Sequence, residues 1–73
     1  MKVILKSTTN ARMLRFVNEE LFLYPFEIGQ AFFAKTLEQP GVISSSAIKS
    51  FERNEDTLIV TTNNSEYVFE VVE

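Results

Sequence analysis

The chain contains no cysteine, no histidine and no tryptophan, and it has only two glycines, two prolines and one aspartate. Without cysteine there is no disulfide and no thiolate nucleophile. Without histidine the commonest general base is missing, and zinc loses both of its usual ligands. Gly29 and Gly41 stand twelve apart, so no glycine-rich loop can cradle a phosphate. Met1-Lys2 is followed by only three apolar residues, so the reading expects no signal peptide, no membrane span and a cytoplasmic location. No metal and no cofactor is expected, and the chain does not read as an enzyme.

Seventy-three residues make a single small domain, 1–73, with limited capacity to bury apolar surface. Domains of this size commonly add a disulfide, a metal or a second subunit, and only the last remains available here. Seven phenylalanines in so short a chain point the same way, towards a homo-oligomer. Charge is unevenly spread. Lys2, Lys6, Arg12 and Arg15 give residues 1–18 a charge of +4, whereas ten acids against Lys35, Lys49 and Arg53 give residues 19–73 a charge of −7. That balance makes direct nucleic-acid binding an unfavoured reading and an acidic face for a basic partner the favoured one.

The clearest local signal lies at the end of the chain. Thr57–Thr62 and Glu66–Val72 are rich in β-branched and aromatic residues, and Asn63-Asn64-Ser65 between them reads as a hairpin turn tolerant of positive φ. Tyr67, Phe69 and Val71 would share one face, with Val68 and Val72 on the other, and Leu58 and Val60 would oppose Ile59. A sheet with one wet side alternates more cleanly, so a helix or another subunit is expected to cover the second face.

Upstream, Lys2–Lys6 reads as an opening strand and Asn10 as a helix cap. The spacing of Met13, Leu14, Val17 and Leu21 predicts a helix from Ala11 to about Phe22, in competition with two strands, 13–17 and 21–24, turning at Asn18-Glu19. Over 26–38 a strand is preferred to a helix, because Gly29 would cost a helix about 1 kcal/mol relative to alanine. Pro40-Gly41 marks a turn, Val42–Phe51 a strand with a bulge at Ser44-Ser45-Ser46, and Glu52–Asp56 a polar loop. Together these elements predict an α+β domain, a mostly antiparallel bent sheet or partial barrel with one helix near the N-terminus.

No catalytic constellation emerges. Glu55-Asp56 are adjacent acids in the most polar segment, which reads as surface charge. Ser46 and Lys49 have a Ser-x-x-Lys spacing, but in a strand residues three apart point to opposite sides. Three binding signals remain. Arg12 and Arg15 would share a helix face and could grip a phosphate or carboxylate, or form the wet side of an amphipathic helix. The hydroxyls of Ser44, Ser45 and Ser46 could line a groove, or satisfy backbone groups at a bulge. Tyr67, beside the turn at Asn64-Ser65, could anchor an interface, or sit in the core with its hydroxyl at the rim.

From Gly29 onward the chain resembles a loose class of very short phage and prophage proteins, most of them of unknown function. The resemblance rests on Gly29, Phe32-Phe33, Pro40-Gly41, Ser45-Ser46, Ile48 and Asn64-Ser65-Glu66-Tyr67, with Ser45 standing where the class tends to have threonine. It covers about residues 29–72 and leaves the N-terminal third without a counterpart. It implies a small protein that works by occupying a surface, as an inhibitor or adaptor in evasion of host defence. A host protein is then the expected partner, and Glu52, Glu55, Asp56, Glu66, Tyr67 and Glu70 are the expected contact residues. The rival expectation is an oligomeric sink for a nucleotide signal, held by Arg12, Arg15, Ser44, Ser45 and Ser46 at a subunit interface.

Overall fold

Two-residue alternation decides which side of each strand turns inward, and in the closing hairpin it is strict. The computed structural model, which describes residues 1–38 and 41–72, buries Leu58, Val60 and Thr62 on one strand and Tyr67, Phe69 and Val71 on the next. Among the described residues there are six strands: β1 (Lys2–Thr8), β2 (Glu20–Leu23), β3 (Ala31–Thr36), β4 (Ile43–Asn54), β5 (Thr57–Thr62) and β6 (Glu66–Val71). Each pairs antiparallel with the next, and β6 pairs back onto β1 through Val3↔Val71 and Leu5↔Phe69, closing an up-and-down barrel.

The interior is a single apolar cluster that includes Val3, Leu5, Leu21, Leu23, Phe32, Ala34, Ile48, Leu58, Val60, Tyr67 and Phe69. Phe32 lies edge-on to Tyr67 and Phe69, at ring-centre distances of 4.9 and 5.8 Å, an arrangement that matches ring edges to ring faces.

The molecule is mostly β rather than α+β. In place of a helix from Ala11 to Phe22 there is a short 3-10 helix, Ala11–Phe16, followed by β2. The cap at Asn10 is as expected, its Oδ1 accepting from the Arg12 N–H at 2.9 Å. Steps of three follow, with Met13 N–H bonded to Asn10 O and Val17 N–H to Leu14 O. Residues three apart eclipse in such a helix. Met13 and Phe16 are therefore the buried pair, and Leu14 is left outside. Asn18 then takes a positive φ of 71° and turns the chain into β2, where Leu21 and Leu23 enter the core between β1 and β3. A continued helix could not deliver both leucines to that core, so sheet closure overrides the local period.

Further differences concern strand lengths and turns. The strand expected over 26–38 starts only at Ala31, after a loop in which Gly29 has φ +93° and Phe26 packs edge-on against Phe51 at 5.1 Å. The expected polar loop 52–56 is in fact the end of β4 and a two-residue turn: Glu52 pairs with Ile59, Arg53 with Leu58 and Asn54 with Thr57, and Glu55 takes φ 58°. Asn63 and Asn64 do not have positive φ. Their turn is held instead by Thr62, whose N–H and hydroxyl both bond to Ser65 O. Of the expected Pro40-Gly41 turn, Gly41 has φ +112° and Pro40 lies outside the described residues.

The ring of strands has one thin place. β3 pairs with β4 only as far as Ala31↔Ala47, and bonds from Gly29 N–H to Ile48 O and from Ile48 N–H to Gln30 O end the seam. Beyond it, β4 pairs with β5 alone. Thr62 turns its N–H towards β6, so by alternation Thr61 and Ile59 face β4. That leaves the N–H and C=O groups of Phe51 and Arg53 on the open side.

Asn10 ties the 3-10 helix to the core, because its Nδ2 donates to the Tyr67 hydroxyl at 2.9 Å while its Oδ1 caps the helix. Asn10→Ala should lower stability by about 1–2 kcal/mol. In a domain of this size that is a melting temperature lower by about 5–15 °C, measurable by calorimetry. Tyr67→Phe, which spares the cap, should cost less than Asn10→Ala.

Candidate functional site

With the inside of the barrel filled by side chains, any binding chemistry has to come from the outer wall. On β6 the residues that alternate with the core are Glu66, Val68 and Glu70. Across the ladder Val68 faces Ile59, and Ile59 faces Glu52 on β4. Glu66 faces Thr61, and Glu70 faces Thr57. The outer wall of β4–β5–β6 thus presents Glu52, Glu66 and Glu70 around the half-buried pair Ile59 and Val68, with Glu55 and Asp56 at the turn that ends it. Five of the six residues expected in the contact surface therefore fall on one wall or its end.

Of the cations near this wall, Lys6 is paired to it, Lys49 is exposed on β4, and Arg53 lies on the opposite face. Lys6 Nζ lies 3.9 Å from Glu70 Oε1, an exposed pair worth little in stability. Arg53 lies opposite the buried Leu58, so it points to the other side of the sheet, and its Nε donates to Glu55 O at 3.1 Å. The wall keeps a negative face.

The sixth residue, Tyr67, is not on it. Tyr67 is 1% exposed, stacked in the core near Phe69, with its hydroxyl taken by Asn10. It cannot anchor a partner without leaving the barrel. The apolar centre of the wall is supplied instead by its neighbours, Val68 on β6 and Ile59 on β5. Among the described residues the short helix packs on β1, and both of these side chains are half-buried.

The serine run has a structural task. The register of β3 against β4 shifts between Ala31 and Phe33, so the Phe32 N–H loses a regular ladder partner and bonds to Ser45 Oγ at 3.0 Å instead. Ser45 in turn donates to Ser46 O at 2.7 Å. Ser46 Oγ donates to Thr62 Oγ1 at 2.8 Å and accepts from Asn64 N–H at 3.3 Å, which pins the β5–β6 turn against β4. Ser44 alone of the three is exposed.

Arg12 and Arg15 do share a side, since they are three apart in a 3-10 helix, and the Arg15 guanidinium lies 4.7 Å from the centre of the Phe16 ring. That helix packs on β1, whereas the serines are on β4, three strands away around the ring. No hydrogen bond or ion pair joins the two groups among the described residues. The structure does not assemble them into one site.

A shallow cleft of about 370 Å³ lies between Asn18–Glu20 and Leu37–Glu38. One of its carboxylates, Glu20, is 3.3 Å from Lys2 Nζ. Among the described residues no group of three acidic side chains is placed to hold a metal ion, and no helix is long and apolar enough to cross a membrane.

Sequence reading overlooked a second wall. On β2 and β3, Phe22 stands opposite Lys35, and Tyr24 donates its N–H to Phe33 O at 2.9 Å, so Phe22, Tyr24 and Phe33 all face outward together. Phe22 and Tyr24 meet edge-on at 5.2 Å. The signal was present in Leu21-Phe22-Leu23-Tyr24, an all-apolar run that as a strand must place large side chains on both faces.

The class these features define is a closed six-stranded antiparallel barrel with a filled interior and two contrasting outer walls, one acidic and one aromatic. Comparison with protein-family models, with curated proteins and with solved structures found no match.

The bonding of the serines separates structure from ligand binding. Ser46→Ala should cost about 1 kcal/mol, because it strips partners from Thr62 and Asn64. Ser44→Ala should change stability by less than about 0.5 kcal/mol. Thermal denaturation of the two variants side by side makes the comparison.

Proposed function

We propose that the chain is a non-enzymatic docking domain that occupies a basic surface of a protein partner, in the manner of a small inhibitor or adaptor aimed at a host protein. The observation that carries this reading is the acidic wall: Glu52, Glu66 and Glu70 brought from two strands onto one outer face around Ile59 and Val68. An apolar centre ringed by charges of one sign is the anatomy of a steered contact. The carboxylates speed encounter with a positive partner and discourage negative ones, and the aliphatic pair supplies area that water leaves on docking. No titration or bond-making step is required of any residue.

The nucleotide-sink reading has less to draw on. Ser45 and Ser46 already spend their hydroxyls within the barrel, and the two arginines stand elsewhere on the ring.

Two charge reversals test the docking reading. Glu66→Lys with Glu70→Lys should abolish capture of the partner from a host lysate at physiological salt while the melting temperature changes little. For the unaltered chain, the association rate with the captured partner should fall steeply as ionic strength rises. Capture that survives both substitutions would remove the acidic wall from the account.

A further inference from the structure

The aromatic wall is an apolar surface that the barrel leaves exposed. Phe22 and Phe33 are 38% and 48% exposed, and the residues beside them, Leu37 and Val42, are 52% and 59% exposed. These four are half of the large hydrophobic side chains left exposed among the described residues. Register makes them neighbours. Leu21↔Thr36 sets Leu37 beside Glu20, Phe22↔Lys35 sets the lysine opposite Phe22 on the same face, and Ala34↔Ile43 sets Val42 beside Lys35. A contiguous patch of this kind on a small domain marks an interface.

We propose that this wall is a self-association face, and that its occupant is the same wall of a second copy of the chain. The argument is complementarity under a two-fold axis laid along the β2–β3 seam. Such an axis sets β2 of one protomer over β3 of its partner. Because Phe22 faces Lys35 and Tyr24 faces Phe33 within one wall, the rotation places the Lys35 ammonium over the facing Phe22 ring, and Phe33 over Tyr24, each contact occurring twice. Aligned packing of two twisted sheets brings those central rows together and splays the ends.

Charge argues against a nucleic-acid strand in the same place. Lys2, on the β1 side of Phe22, sits 3.3 Å from Glu20, which leaves Lys35 as the one cation of the central row not matched by a carboxylate among the described residues. A single ammonium does not make a phosphate track. The acidic wall of β4–β6 lies on the other side of the ring and stays open in the pair.

A convex wall two strands wide buries less than the roughly 1,600 Å² of a standard interface, so the association should be reversible and concentration-dependent. Light scattering of the unaltered protein from micromolar to millimolar concentration should show the mass rising from 8.4 kDa towards twice that value. Amide resonances that move with concentration should cluster at Phe22–Tyr24 and Phe33–Lys35. Phe33→Glu should hold the protein at the monomer mass with its circular dichroism unchanged. Lys35→Glu should weaken self-association by at least tenfold, and Lys35→Arg should restore it. Glu66→Lys should leave it unaltered.

A constant monomer mass across the whole range would overturn the proposal. So would a dimer that persists in Phe33→Glu, or concentration-dependent shifts centred on β4–β6. Saturable binding of an oligothymidylate or of an unrelated protein to the wall of a chain that stays monomeric would overturn it as well. Should Phe33→Glu fail to fold, the resonance map of the unaltered chain decides the question alone.

Discussion

Pairing of the first strand with the last is the contact on which everything else in this molecule depends. Val3↔Val71, Ile4↔Glu70 and Leu5↔Phe69 join residues at opposite ends of the chain, and the Val72 N–H extends the seam to Lys2 O at 3.0 Å. Without that seam β1 and β6 would both be edges, and Tyr67 and Phe69 would form the border of an open sheet rather than the centre of a core. With it, the first and last strands pair their backbone groups as well as bury their side chains, which an 8.4 kDa chain lacking any crosslink has particular need to do. Closure is also the most non-local contact in the fold. It can form only after a long loop has been brought together, so folding should be slow for so small a protein.

Closing six strands around large aromatic rings comes with irregularities in the ladders, and hydroxyl side chains bond to backbone groups at or near two of them. Register shifts interrupt β1 against β6, β3 against β4, and β4 against β5. Ser45 serves the N–H displaced at the second of these. Near the first, the Thr8 hydroxyl donates to Glu66 O, and the Thr9 hydroxyl accepts from Glu66 N–H. Among the described residues no buried side-chain polar atom is left without a partner. Hydroxyls at this end of the barrel act as replacement backbone groups, which is why a run of serines that looks like a ligand groove is already fully engaged apart from Ser44.

What could be read from the sequence followed the strength of the alternation. Thr57–Thr62 and Glu66–Val71 have a buried residue at every second position, and both strands and their faces were legible, including the outward set of Glu66 and Glu70. Ala11–Leu23 was not legible as a unit. Met13 and Leu21 fit a helical period, and only the competition of β1 and β3 for Leu21 and Leu23 turns the second half into a strand. Glu52-Arg53-Asn54 looks like a loop because polar runs usually accompany irregular backbone, whereas here the polarity marks a strand with one neighbour and little to bury. The aromatic wall was hidden for a related reason: Phe22 and Phe33 are eleven residues apart, and a single hydrogen-bond register brings them together.

The thin place in the ring, where β4 runs past the end of β3, carries a consequence for how the barrel breathes. Six residues of that strand, Lys49–Asn54, are held mainly by β5 and by the Phe26–Phe51 contact, so this corner is the cheapest part of the wall to detach. Its amides should exchange with solvent long before those of the β1–β6 seam, and a protease would enter here first. The same edge is written in Lys49, Glu52 and Arg53, charges that make it a poor template for a foreign strand. The barrel can open at this corner without inviting the cross-chain pairing that leads to fibres.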